Sequence, residues 1–192
     1  MGGVLGACQT ALVTTSGFVA LLRGINVGGN NQIRMPELAD CFRDGGFENV
    51  STYIQSGNVI FSAAPQSVLD LESNLEALIE AQFGLSIMVV VRSRDELQSI
   101  VAEAPNTHGS AEYRSDVFFL KDPGAVNETF AALPELRDGV DEVAKGPGVI
   151  YFSRLDAEAS RSRMTKFVGT APYKRTTIRN WRTTTKLLDL LG

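Results

Sequence analysis

Between residues 17 and 92 the hydrophobic period switches back and forth between that of a strand and that of a helix, in an order few folds admit. Phe18-Val19-Ala20-Leu21-Leu22 is a short, nearly continuous apolar run, as a strand buried on both faces requires. A Gly/Asn-rich loop follows from Arg23 to Asn31. Pro36 then stands where a helix accepts proline, in its first turn. Leu38, Cys41 and Phe42 share one face of that helix, and Gly45-Gly46 stops it. Val50 to Gln55 and Asn58 to Ser62 are strand-like, and the Ser56-Gly57 linker predicts a hairpin. Ser67 with Asp70 reads as a capping box, opening a helix through Val68, Leu71, Leu75, Leu78 and Ile79 that Gly84 ends. Ile87 to Val91 is another apolar strand. The order β-α-β-β-α-β is that of the ferredoxin-like, or split β-α-β, unit.

The second half repeats this order less clearly. Ser93 with Glu96 forms a second capping box, for a helix running to Ala104. Val117 to Leu120 predicts a strand and Ala125 to Leu133 a helix. Val140 to Ala144 and Val149 to Phe152 predict a hairpin around Gly146-Pro147-Gly148, with helices from there to the end. The expected fold class is α+β: two ferredoxin-like (α–β plait) subdomains with antiparallel sheets. The expected divisions are an amino-terminal appendage over 1–16, a first subdomain over 17–92, and a second over 93–192 that carries a basic carboxyl-terminal helix.

Composition narrows the function classes. The chain has 192 residues, 44% of them hydrophobic and 21% charged, ordinary values for a globular protein. Its net charge of −4 excludes a general polyanion binder. Residues 1–16 hold no Lys or Arg, so they do not form a secretory signal, and no run approaches the roughly 20 apolar residues of a membrane helix. A cytoplasmic location with no membrane association is the expectation. Two cysteines make no disulfide framework, and the single histidine leaves little from which to build a metal site. No DxD, HExxH or CxxC spacing occurs, so no metal and no cofactor are expected. Cys41 falls on an apolar helix face and reads as a buried hydrophobe. His108 lies in a polar loop and reads as exposed.

Topology brings two segments together. In a split β-α-β unit the third strand lies between the first and second and antiparallel to both. The end of strand one and the hairpin therefore share a sheet edge. The loop supplies Arg23, Asn26, Gly28 and Gly29, and the hairpin supplies Gln55, Ser56 and Asn58. With a helix amino end nearby, this set suits a phosphate, a carboxylate or a nucleotide. The same residue types also serve as plain turn formers. The loop lacks the Gly-Lys-Ser/Thr ending of a P-loop and the Gly-x-Gly-x-x-Gly spacing of a dinucleotide fold.

The carboxyl-terminal stretch carries a second signal. Nine basic residues between Arg154 and Lys186 face only Asp156 and Glu158, giving a segment of +7 in a chain that is otherwise −11. Read as one helix capped by Thr176 or Thr177, the segment places Ile178, Trp181, Thr185 and Leu188 on a buried stripe. Arg179, Arg182 and Lys186 then line its accessible rim. Such a face suits phosphate or nucleic acid, or ion pairing with the acidic first unit.

The motifs Phe18 to Gly29, Tyr53 to Phe61, and Arg179-Asn180-Trp181 with Thr184 or Thr185 and Lys186-Leu187 together resemble the bacterial family called domain of unknown function 1697. The resemblance spans about residues 17–191 and implies two α–β plait subdomains; it implies no activity. The family's recurring positions coincide with the loop, the hairpin and the basic motif. It usually carries Ser-Lys-Leu where this chain has Ser162-Arg163-Met164, and Asn where this chain has Arg182. The expected function is non-catalytic binding of a phosphorylated small molecule or nucleic acid, with Arg23 meeting the anion. The alternatives are an enzyme acting on a small anionic substrate, for which no acid or base stands out, and a protein-interaction module.

Overall fold

The computed structural model describes residues 16–192. The proposed appendage lies outside the described residues except for Ser16, which pairs with Ala63 in the first strand. The first half runs β1 (Ser16–Leu22), α1 (Met35–Asp44), β2 (Glu48–Tyr53), β3 (Asn58–Ala63), α2 (Val68–Phe83) and β4 (Val89–Ser93). A helix, α3 (Arg94–Ala102), leads into the second half. There follow β5 (Tyr113–Leu120), α4 (Val126–Ala131), β6 (Asp141–Gly146), β7 (Val149–Leu155), α5 (Ala171–Lys174), β8 (Thr176–Asn180) and α6 (Trp181–Leu191). The sheets have strand orders β2-β3-β1-β4 and β6-β7-β5-β8, the same plait order twice, and every pairing is antiparallel.

Period-2 alternation divides each central strand between two cores. Phe18, Ala20 and Leu22 of β1 face a core shared with Leu38 and Phe42 of α1 and Leu71, Leu75 and Ile79 of α2. Val19 and Leu21 face the opposite way, into a core shared with Leu97 and Ile100 of α3, Val117 and Phe119 of β5, and Leu187 of α6. Phe118 and Leu120 of β5 turn to a third core with Phe152, Met164 and Phe167. The inner faces of the two sheets thus share one core with α3 and α6. Cys41 is buried on α1, as expected, and burial, aided by Asp44, pushes its thiol pKa up.

Three local expectations need correction. The β2–β3 connection is four residues long, because Ile54 leaves the strand with φ 49° and Gly57 closes the turn with φ 77°. The region from 176 to 191 is not one helix. Thr176–Asn180 is β8, the strand that completes the second plait, and α6 starts only at Trp181. The cap is Asn180, whose side-chain oxygen accepts from Thr183 N at 2.7 Å. The expected apolar stripe spans a strand–helix junction, so its helical phase does not hold. The buried face of α6 is Thr183, Thr184 and Leu187, while Ile178, Trp181 and Leu188 are half-buried.

Candidate functional site

The loop and hairpin meet at one edge of the first sheet. Leu22 N donates to Gly57 O at 2.8 Å, which locks the end of β1 to the turn. Asn30 N donates to Val27 O across Gly28 (φ 60°) and Gly29 (φ 80°), the two left-handed residues of a type I′ turn. The Asn26 side chain then ties three segments. Its Nδ2 donates to Ile33 O and to Gln55 O, both at 2.9 Å, and its Oδ1 accepts from Ile33 N at 2.9 Å. Asn58 is fully buried, its Nδ2 donating to Tyr53 O at 2.9 Å and Ser56 Oγ at 3.1 Å.

Arg179 reaches this hairpin from the other half of the chain. As a residue of β8 it is 7% exposed, not on an accessible helix rim. Its Nε donates to Asn58 Oδ1. Its Nη2 donates to Leu22 O at 2.8 Å, Ser56 O at 3.0 Å and Gly57 O at 3.2 Å. Its Nη1 donates to Thr177 Oγ1 at 3.0 Å and Ile178 O at 2.8 Å. Burial lowers its pKa to about 10, so it is still cationic at neutral pH. Its charge is spent on backbone carbonyls of both subdomains. Arg23 crosses in the opposite direction, Nε donating to Thr176 O at 3.0 Å and the guanidinium lying 5.0 Å from the centre of the Tyr173 ring.

Beside this clasp lies a polar cleft of about 700 Å³. Asn26, Gly29, Arg34 and Gln55 line it together with Met35, Pro36 and Glu37, the first turn of α1. Arg34 occupies the N-cap position and no side chain caps the helix; Pro36 carries no N–H, so the Met35 and Glu37 N–H groups are the two first-turn donors without a side-chain partner. Arg34 is exposed and bonds Glu37 at 3.1 Å. The cleft wall does not include Arg23, Asn58 or Arg179, which stand behind or beside it.

The other basic residues are dispersed. Arg154 pairs with Asp116, Arg161 with Glu158, Arg163 with Glu135, and Lys186 with Asp189. Arg182 is exposed and forms no ion pair among the described residues. No group of His, Cys, Asp and Glu among the described residues suits a metal ion, and no described helix is long and apolar enough to cross a membrane.

One polar cluster escapes the sequence reading. His108 is 8% exposed, not a surface residue. Its Nδ1 lies 2.9 Å from Ser153 Oγ, which lies 2.9 Å from Ser115 Oγ. Desolvation lowers the imidazole pKa to about 4, so the ring is neutral at pH 7. The cluster does not resemble a hydrolytic triad: Ser153 is 3% exposed on a strand, and no carboxylate orients the ring. Ser115 and Ser153 are register partners on β5 and β7. Their only trace in the sequence is a serine close to the apolar run of each strand, Val117 to Leu120 in β5 and Val149 to Phe152 in β7.

Comparison with known proteins places the chain in a family. The family described as "Protein of unknown function (DUF1697)" matches residues 16–151. A solved structure, the conserved bacterial protein SP0830 from Streptococcus pneumoniae, superposes with a TM-score of 0.81 at 27% identity, over 93% of this chain and 100% of that one. No curated protein matches.

Proposed function

Because the chain belongs to the DUF1697 family, whose matched residues include the whole loop–hairpin unit, we propose that it is a non-catalytic binder of a phosphorylated small molecule in the cleft between the 26–31 turn, the hairpin and α1. One observation carries this reading: α1 begins, without a side-chain cap, in the wall of a polar cleft beside the exposed Arg34. A helix amino end with unclaimed N–H groups favours a negative group, and an adjacent guanidinium adds charge-assisted hydrogen bonds. Gln55 in the wall supplies an amide for the uncharged part of the ligand. The clasp of Asn26, Asn58 and Arg179 is the rigid base on which the cleft is built. In this reading the protein works in the cytoplasm, and the carboxyl-terminal cations Arg182 and Lys186 lie outside the ligand contacts.

Titration calorimetry with inorganic phosphate, AMP, ATP and a short single-stranded RNA tests it. Arg34→Ala should weaken binding of the phosphorylated small molecules about 10- to 150-fold, and added salt should weaken the wild type. Arg43→Ala, on α1 but outside the cleft wall, should leave affinity unchanged. Equal binding by wild type and Arg34→Ala would overturn the assignment. Binding of the RNA alone would transfer the function to nucleic acid.

A further inference from the structure

A second cavity, of about 390 Å³, lies against β6 in the second subdomain, far in sequence from the loop–hairpin cleft. Pro105, Leu136 and Tyr151 supply apolar wall, and His108, Asp141 and Ser153 supply polar groups. Two of those groups are nine-tenths buried and incompletely bonded. His108 is 8% exposed and its Nε2 has no hydrogen-bond partner; Asp141 is 7% exposed and its Oδ1 has none. Buried polar atoms without partners are uncommon, because each forfeits its hydration.

One direction of the hydrogen-bond chain gives every hydroxyl hydrogen an acceptor. Gly109 N donates to Ser115 Oγ at 2.8 Å. The Ser115 hydroxyl hydrogen then has Ser153 Oγ as its acceptor, and the Ser153 hydrogen is left for His108 Nδ1. In that direction Nδ1 accepts, and the neutral ring carries its hydrogen on Nε2, an unused donor. Asp141 Oδ2 accepts from Arg137 N at 3.1 Å and Arg163 N at 3.2 Å, which anchors the carboxylate and leaves Oδ1 an unused acceptor. No Lys or Arg lines the cavity, whereas Asp141 and Glu142 do. An anion is therefore disfavoured, in contrast to the cleft at α1.

We propose that this cavity is a second small-molecule site, for an uncharged ring presenting a hydrogen-bond acceptor and a donor together, as a nucleobase or a heteroaromatic amide does. Both atoms are buried beneath the cavity wall, so the entering ring must shift wall side chains for its acceptor to meet His108 Nε2–H and its donor Asp141 Oδ1. The volume lies within the range of ordinary ligand pockets, about 300–1,000 Å³.

His108 is the chain's only histidine, so its imidazole NMR signals need no assignment by mutation. The full-length protein is titrated separately with adenine, uracil, nicotinamide, inorganic phosphate and toluene to millimolar concentration. Adenine or uracil, or else nicotinamide, should shift the His108 signals saturably, and which does so separates a nucleobase from an amide source. Phosphate and toluene should not. Asp141→Asn should weaken the responding probe about tenfold or more. Leu136→Trp, which fills the cavity and leaves the hydrogen-bond chain intact, should abolish the response. Should Leu136→Trp fail to fold, Ala144→Leu fills the same cavity from the strand. The proposal is overturned if none of the three ring probes moves the signals, as it would be if the Trp181 ring, 4.8 Å away at 83°, already receives the Nε2–H. It is also overturned if phosphate or toluene acts like the amides, or if the filled variants respond like the wild type.

Discussion

Arg179 treats the hairpin as an anion-binding arginine treats a phosphate: its fork collects Leu22 O, Ser56 O and Gly57 O, and Nε takes Asn58 Oδ1. Arg179→Met keeps the volume and strands those carbonyls. It should cost about 3–5 kcal/mol in urea denaturation, with Arg179→Lys recovering less than half, since an ammonium cannot reproduce the fork. Arg182→Ala, an exposed neighbour three residues on, should change stability by no more than about 0.5 kcal/mol. The importance of both Asn58 and Arg179 was legible in the motifs. Their partnership was not, because it depends on Arg179 being in a strand. His108 gives a pH prediction. Its pKa is about 4 folded against an unperturbed 6.5, so the unfolded chain binds the proton more readily. The contribution of the neutral ring is complete above about pH 6.5 and is lost as the pH falls toward 4, at most about 3 kcal/mol. Urea melts at pH 7 and pH 4.5 should show a smaller loss in His108→Phe than in the wild type.

Local signals carry over to the structure, although the Ser67–Asp70 pair forms only half a box, Asp70 N donating to Ser67 Oγ. The Ser93–Glu96 box is present in both halves: Glu96 N donates to Ser93 Oγ, and Ser93 N to Glu96 Oε2. The hairpin is where Gly57 put it, although Ile54 lengthens the turn. Gly57 is required twice over. Its φ is 77°, and a Cβ there would come within 2.8 Å of the Ile25 side chain. Gly57→Ala should therefore cost well over the roughly 1 kcal/mol expected for Gly28→Ala, which has the same backbone hand in open space. Thermal melts of the two variants give the comparison. β8 was illegible for a physical reason. Thr176-Thr177-Ile178 is β-branched but carries no alternation, and it runs straight into α6 with only Asn180 between. Asn180→Ala should cost about 0.5–2 kcal/mol by loss of the cap, which Lys186→Ala, on the exposed side of α6, should not.

At the scale of the whole molecule, the two plaits are joined by more than a linker. Val19, Leu21, Ile60 and Val90 of the first sheet are buried only because α3, α6 and the second sheet cover them. Ionic contacts cross the seam too. Lys121 of the second half bonds Glu72 and Glu76 of α2, and the buried Arg92 of β4 donates to Leu120 O at 2.7 Å. A fragment ending at residue 93 would bare an apolar sheet face and the carbonyls that Arg179 now holds. Such a face drives association or unfolding. The chain should therefore unfold in one transition, with equal calorimetric and van't Hoff enthalpies. Leu187→Ala, fully buried in the shared core, should lower stability by about 2–5 kcal/mol. Two local probes would report it: the His108 ring signals in the second half and hydrogen exchange of β3 amides in the first. Both should shift to the same new midpoint. If the β3 amides kept their wild-type protection while the His108 signals moved, the halves would be independent domains and the seam an ordinary contact. The loop–hairpin cleft would then keep its shape without Arg179. If they move together, the cleft at one edge of the first sheet depends on the last strand of the second.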